Sequence, residues 1–313
     1  MTNKQLLLGT AQWAWTVSRE EAFQLLDAWL DAGQKAIDCA TNYPIDKNPA
    51  HFRAAEGILQ EYLQAHGLST LQITMKIGSL DNLRSPEANL SPSFVRMMTG
   101  EYRRLLGNNL RCVMLHWDNR SDPEAIADTL HTLVDVCREE GLRPGLSGIR
   151  HPEVYAPLVE QTQVSFDIQL KHNILHSDLP RYAPFQRLAH RYFAYGINAG
   201  GLKLEGEYSP DSTLKARGGD PAAAEMLLAS LREALLRWNT AFVRPPITAF
   251  YQIGLLFAAL HPQLDGVVLG CSSIAQLRQT LDFWRNLETF EYTDVFDQLV
   301  HIAQSRRKGR ETE

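Results

Sequence analysis

The sequence predicts a single (β/α)8 TIM barrel over residues 1–313, finished by a C-terminal helix. Three observations carry that expectation. Eight short β-rich apolar runs alternate with long helical patterns. No low-complexity linker divides the chain into halves, although 313 residues could hold two domains. The turn after the first run, Leu8-Gly9-Thr10-Ala11-Gln12-Trp13, has one glycine, where an open doubly wound sheet wants a glycine-rich phosphate turn.

In chain order the expected strands are Gln5–Leu8, Lys35–Asp38, Leu71–Lys76, Arg111–His116, Gly145–Ile149, Val164–Gln169, Tyr192–Tyr195 and Gly266–Leu269. Most gaps between them run to about 20 to 40 residues, room for a helix and two loops. The longest gap holds an additional helix pair around Pro221–Trp238 and Pro246–Leu260. Ser18-Arg19-Glu20-Glu21 is a capping box ahead of Phe23, Leu26 and Leu30 at helical spacing. Asn48-Pro49, Ser91-Pro92, Asp122-Pro123 and Asp220-Pro221 each set a cap residue before a proline suited to the first helical turn. Gly33, Gly67, Gly107 and Gly141 follow helical stretches, where a left-handed residue ends the helix.

Composition narrows the function classes. With 44% hydrophobic and 21% charged residues, the chain is neither disordered nor collagen-like. A formal net charge of −5 gives no general attraction to nucleic acid or to an anionic membrane, and the Arg306-Arg307-Lys308 run reads as a solvated end. No apolar stretch is long enough to span a bilayer, and Met1–Gln5 lacks the features of a secretory leader, so a cytoplasmic location is expected. Cys39, Cys112, Cys137 and Cys271 are far apart with no CxxC pair, and read as core thiols rather than disulfides or a zinc site. His172 and His176 have an i, i+4 spacing but follow a strand and lack a carboxylate motif, so no metal is expected.

A barrel of this kind carries its chemistry at the C-terminal ends of the strands. Asp38, Lys76 and His116 end the second, third and fourth apolar runs, and Tyr43 follows five residues after Asp38. Neighbouring strands are ~4.8 Å apart, so a lysine between shorter polar side chains can touch both. An ammonium beside a phenol favours the phenolate and lowers its pKa, and the carboxylate keeps the ammonium charged and oriented. The phenol can then exchange a proton with a substrate oxygen that the imidazole positions.

The segment Asp38-Cys39-Ala40-Thr41-Asn42-Tyr43 resembles the Asp-x-Ala-x-x-Tyr motif of the aldo-keto reductase superfamily. Further matches follow in order: Ala55-Glu56-Gly57, Thr74-Met75-Lys76, Leu115-His116-Trp117, Gly145-Leu146-Ser147-Gly148 and Gln169-Leu170-Lys171-His172-Asn173. Ala194-Tyr195-Gly196 with Gly200-Gly201-Leu202 resembles the stretch that wraps the pyrophosphate. Val268-Leu269-Gly270-Cys271-Ser272-Ser273 through Gln276-Leu277 is similar to the adenosine-side segment of the branch containing potassium-channel β subunits.

The resemblance implies carbonyl reduction with NADP(H) on a small-molecule substrate, with Asp38, Tyr43, Lys76 and His116 as the catalytic set. It implies cofactor contacts from Thr10, Ser147, Gln169, Tyr195, Gly196, Gly200, Gly201, Leu202, Gly270, Ser272 and Gln276, with Trp13 and Trp117 walling the substrate pocket and Trp15 the alternative to Trp13. Gly148 stands where the family usually has Asn, and Gly270 where some branches place a Lys against the cofactor's 2′-phosphate, leaving Arg217 and Arg278 as substitutes. The competing expectation is a cofactor-binding regulatory or sensor subunit with little turnover. Oligomeric state is not legible in the sequence.

Overall fold

The computed structural model describes residues 4–185, 188–208, 212–216, 219–241 and 244–311. Its strands are β1 (Gln5–Gly9), β2 (Ala36–Ala40), β3 (Gln72–Ile77), β4 (Leu110–His116), β5 (Arg143–Ser147), β6 (Asp167–Lys171), β7 (Arg191–Tyr195) and β8 (Gly266–Leu269). Each pairs in parallel with its neighbours in sequence, and β8 closes on β1 with Gln5 opposite Gly266 and Leu8 opposite Leu269. The expected (β/α)8 barrel is present. Its helices are α1 (Arg19–Asp31), α2 (Ala54–His66), α3 (Pro92–Leu106), α4 (Pro123–Glu140), α5 (Pro152–Thr162), α6 (Thr213–Ala216), α7 (Glu225–Ala241), α8 (Phe250–Ala259), α9 (Ile274–Thr289) and α10 (Thr293–Glu311).

Local chemistry sets most boundaries. The Ser18 hydroxyl accepts from Glu21 N while the Glu21 carboxylate accepts from Ser18 N, so α1 starts in a closed capping box. Ser91 and Asp122 cap α3 and α4 ahead of their prolines. Asn48-Pro49 and Asp220-Pro221 instead open 3₁₀ segments, Pro49–His51 and Pro221–Ala224, and α2 begins only after Arg53 turns at φ 67°. Gly67 and Gly141 end α2 and α4 in the left-handed conformation.

Several strands differ from their expected limits by one or two residues, β2 running on to Ala40, and the largest shifts are in β5 and β6. Gly148 leaves the ladder at φ 64°, so β5 ends at Ser147 rather than Ile149. Lys171 pairs with Tyr195 while Val164 N is held by the Thr162 hydroxyl, so β6 runs later than the apolar run suggests.

Strand alternation separates two apolar layers. Leu6, Leu8, Ile37, Cys39, Ile73, Met75, Val113, Leu115 and Ile168 pack outward in the cluster shared with the helices. Inside the barrel Leu7, Ala36 and Phe193, with Val268 against them, form a separate plug. Near that plug Asp167 on β6 holds two guanidinium groups, accepting from Arg143 Nε at 2.8 Å and from Arg191 Nε and Nη2 at 2.9 and 2.5 Å. All four cysteines are free and buried. Among the described residues no helix is long and apolar enough to cross a membrane. The Arg306-Arg307-Lys308 run falls on α10.

Candidate active site

Because Ile37 and Cys39 face the helices, the alternation of β2 turns Asp38 into the barrel, mid-strand rather than at its end. Lys76 on β3 donates to Asp38 Oδ2 and, at 3.3 Å, to Gln169 Oε1 on β6. Gln169 Nε2 closes the triangle by donating to Asp38 Oδ1 at 2.6 Å. All three residues are 2% exposed or less. Tyr43 arrives from the loop after β2, its N–H on the Ala40 carbonyl at 3.2 Å. The Lys76 ammonium lies 4.9 Å from the Tyr43 ring centroid, and the His116 ring stands edge-on to the phenol at 6.1 Å. Asp38, Tyr43, Lys76 and His116 all line one cavity.

The charges in this group follow from burial and pairing. Burial opposes the Lys76 ammonium, but Asp38 and then Tyr43 outweigh it and hold the pKa above the usual lysine range. Burial pushes the Tyr43 phenol up, and the nearby ammonium only partly offsets this. The expected lowering of the phenol pKa is therefore reversed. Asp38 engages the same ammonium directly and leaves less of its field for Tyr43. Burial, reinforced by Lys76, drives the His116 pKa well below its usual value, so the imidazole is neutral at pH 7. His116 Nδ1 is buried without a hydrogen-bond partner among the described residues.

The cavity, about 1860 Å³, runs from His116 and Trp117 to Ser272 and Gln276. Along it lie Ser147, Gln169, Tyr195, Gly196, Gly200, Gly201, Leu202 and Gly270. Gly200 and Gly201 turn at φ 86° and 99°, a conformation that favours glycine, and at these two positions the loop after β7 presents bare backbone to the cavity. Gly201 N and Leu202 N already donate to the Asn198 carbonyl at 2.8 and 3.0 Å, so these two expected phosphate donors are directed into their own turn. Gln169 is likewise committed to Asp38 and Lys76, although each end of its amide keeps a second hydrogen-bonding position. At the far end Gln276 Oε1 accepts from Ser272 N and Oγ, both at 3.0 Å, leaving the amide N–H groups unused by that pair. A long cleft with a glycine-rich stretch of wall between polar ends fits an extended dinucleotide.

Three expectations are corrected by position. Thr10 is fully buried, its hydroxyl donating to the Asp38 carbonyl at 3.1 Å, and does not line the cavity. Trp13 is fully buried in the core because the chain turns tightly after Thr10, with Trp13 N on Thr10 O. Trp15 lines the cavity in its place. Arg278 does not line the cavity, and Arg217 lies outside the described residues.

Trp117 meets its expected place with a constraint the sequence hides. It turns at φ 56°, its ring lies 4.6 Å from that of His116, and it occupies the space a side chain at 148 would need: a Cβ on Gly148 would stand 2.6 Å from its Cδ1. Arg84 and Lys203, in loops, and Lys171, at the end of β6, also line the cavity and were missed, since an isolated cation leaves no periodic signal. His172 and His176 are engaged otherwise: the His172 ring stacks on Phe257 at 4.9 Å and His176 pairs with Asp178.

A profile of the Aldo/keto reductase family matches residues 5–298. AAD6 of Saccharomyces cerevisiae, assigned by name as an aryl-alcohol dehydrogenase, is 28% identical over 128 residues, a match covering 39% of this chain and 59% of that protein. The chain thus spans less than two thirds of the yeast relative's length. The holo form of aldo-keto reductase AKR11C1 from Bacillus halodurans superposes with a TM-score of 0.69 at 17% identity, over 96% of this chain and 91% of the other. At that identity the likeness is one of fold.

Proposed function

This chain belongs to the aldo/keto reductase family, and from that premise we propose that it is an NADP(H)-dependent oxidoreductase reducing aldehydes or ketones to alcohols. The observation that carries the reading is the buried Asp38–Lys76–Gln169 triangle beside a neutral phenol and a neutral imidazole. A bound reduced nicotinamide supplies the hydride.

The side chains do the rest. Tyr43, kept protonated by burial, donates its proton to the carbonyl oxygen as negative charge develops there. The phenolate left behind faces the Lys76 ammonium, which Asp38 and Gln169 hold in place. His116 is too weakly basic to carry that proton at neutral pH, and instead gives the carbonyl oxygen a hydrogen bond that fixes its direction. Of the residues lining the cavity, Ser147 and the spare positions of Gln169 would hold the nicotinamide carboxamide, Tyr195 would lie against the ring, and Gly196 and Gly200 would face the phosphates. The preference for NADP(H) follows chiefly from the family resemblance, with the Gln276 amide N–H groups as neutral donors and no cation at Gly270; charge-assisted bonds are roughly twice as strong as neutral ones, so the margin over NAD(H) is modest. Four buried free thiols suit a reducing compartment, and we place the protein in the cytoplasm.

Fluorescence titration with NADPH and NADH, followed by turnover of nitrobenzaldehyde, tests the proposal. NADPH binds more tightly, the aldehyde is reduced, and Tyr43→Phe removes most of kcat while cofactor affinity stays within a few-fold. Near-parental kcat in Tyr43→Phe refutes the assignment of the acid. NADPH binding without turnover of any aldehyde favours the regulatory subunit instead.

A further inference from the structure

The loop between β3 and α3 carries a cation that the carbonyl-reduction chemistry leaves unused. Arg84 lines the catalytic cavity together with Tyr43, Ile45 and Trp117. Its Nη2 donates to the Ile45 carbonyl at 3.3 Å, and Ile45 is two residues, at most about 7 Å of chain, beyond Tyr43. Arg84 Nε is buried with no hydrogen-bond partner among the described residues. Its backbone is held at φ 64°, a strained conformation for an arginine.

The neighbouring acids are already committed. The Asp46 carboxylate accepts from His51 at 2.5 Å, Asn82 Nδ2 at 3.1 Å and Asn48 N at 3.0 Å. Asp81 accepts from Leu83 N at 2.8 Å and from the Ser85 hydroxyl at 2.5 Å. Among the described residues Arg84 has no carboxylate at ion-pair distance, which is unusual for a partly buried guanidinium beside a cavity. Arg84 also lies away from the glycines expected at the cofactor's phosphates. Gly200 and Gly201 follow β7, and in a closed eight-strand ring β3 and β7 are four strands apart, on opposite sides of the mouth.

We propose that Arg84 anchors a carboxylate on the substrate, so that the preferred substrates are carbonyl compounds bearing an acidic group a few ångströms from the reacting carbon. This rests on the reductase reading above and narrows it to a substrate class. The guanidinium fork offers paired N–H donors that a carboxylate fills in plane, satisfying the orphaned Nε as it binds. An anchor on the Tyr43 side of the mouth presents the carbonyl to the phenol.

The test uses 3- and 4-carboxybenzaldehyde against their methyl esters, in the parent and in Arg84→Met and Arg84→Lys. In the parent, kcat/KM favours at least one acid over its ester by about 10- to 100-fold, the range of one charge-assisted interaction, mostly through KM. Arg84→Met collapses this ratio toward one and Arg84→Lys leaves an intermediate ratio. Salt erodes the ratio in the parent but not in Arg84→Met. A ratio near one in the parent, or an unchanged ratio in Arg84→Met, overturns the proposal. So does a parallel loss of NADPH affinity, which would assign Arg84 to the cofactor. If no aldehyde is reduced by any variant, the reductase reading fails, and calorimetry with 4-(hydroxymethyl)benzoate then judges Arg84 separately. Binding by the parent but not by Arg84→Met supports the anion site, and equal or absent binding overturns it.

Discussion

Replacing Lys76 by Met isolates the energetics of the buried triangle. The ammonium and the Asp38 carboxylate are each 2% exposed, so the pair is fully withdrawn from solvent. Removing one partner of such a pair costs about 3–5 kcal/mol, because the other charge is left without compensation. Here Gln169 Nε2 still donates to Asp38 at 2.6 Å, and one hydrogen bond to a charged group recovers about 1.5 kcal/mol. The net expectation for Lys76→Met is therefore a loss of about 1.5–3.5 kcal/mol. Adding Asp38→Asn removes the stranded charge, so the double variant should be more stable than Lys76→Met alone even though it lacks more polar contacts. Urea denaturation of the parent, both single variants and the double variant measures the cycle, provided the slopes are equal. Strictly additive losses would refute the reasoning, since they would mean that each group is solvated independently of the other.

Three further outcomes follow from the same geometry. His116 has a folded pKa well below its unfolded value, so below about pH 6.5 the unfolded chain takes up a proton that the folded one refuses. Stability therefore falls with acidification at up to about 1.4 kcal/mol per pH unit from this group, and His116→Gln should flatten the decline when denaturation is measured between pH 7 and 5. His116→Ala should lower activity less than Tyr43→Phe, with part of the loss in KM; a rate ionisation that vanishes with His116 but survives Tyr43→Phe would exchange their roles. Gly148→Ala should cost about 1–2 kcal/mol from left-handed strain, plus whatever the 2.6 Å approach to Trp117 exacts. In a Trp117→Ala background the second part should disappear, which a double-mutant cycle by urea denaturation reads directly.

The parts of this protein written locally were legible in its sequence. Ser18, Ser91 and Asp122 cap helices because a short side chain reaches its own backbone, whatever packs nearby. Lys76 and His116 stand out because each is a polar residue closing an apolar run, and strand alternation then places them on one wall. Asp38 was found for the same reason, though two more strand residues follow it. What escaped depends on three-dimensional neighbours. Trp13 and Trp15 differ only in which side of a tight turn they occupy, and no periodicity encodes that. Whether Tyr43 is acidified or made less acidic is a contest between solvent exclusion and a partly neutralised ammonium, and its sign needs the distances. Arg84 announces nothing until the partners it lacks can be seen.

The Asp167 clasp gives the opposite mouth of the barrel its own safeguard. Arg143, Asp167 and Arg191 tie β5, β6 and β7 together away from the cavity, while the cavity is lined by residues nearer the other ends of the strands and by the loops that leave them. Substitutions can accumulate in those loops, and substrates can be gained or lost with them, without loosening the hoop that keeps the three strands aligned. A lineage descended from this chain is thus free to experiment at one rim precisely because the other is bolted. An engineer seeking a new specificity would leave Asp167 alone and redraw the loops after β3, β4 and β5.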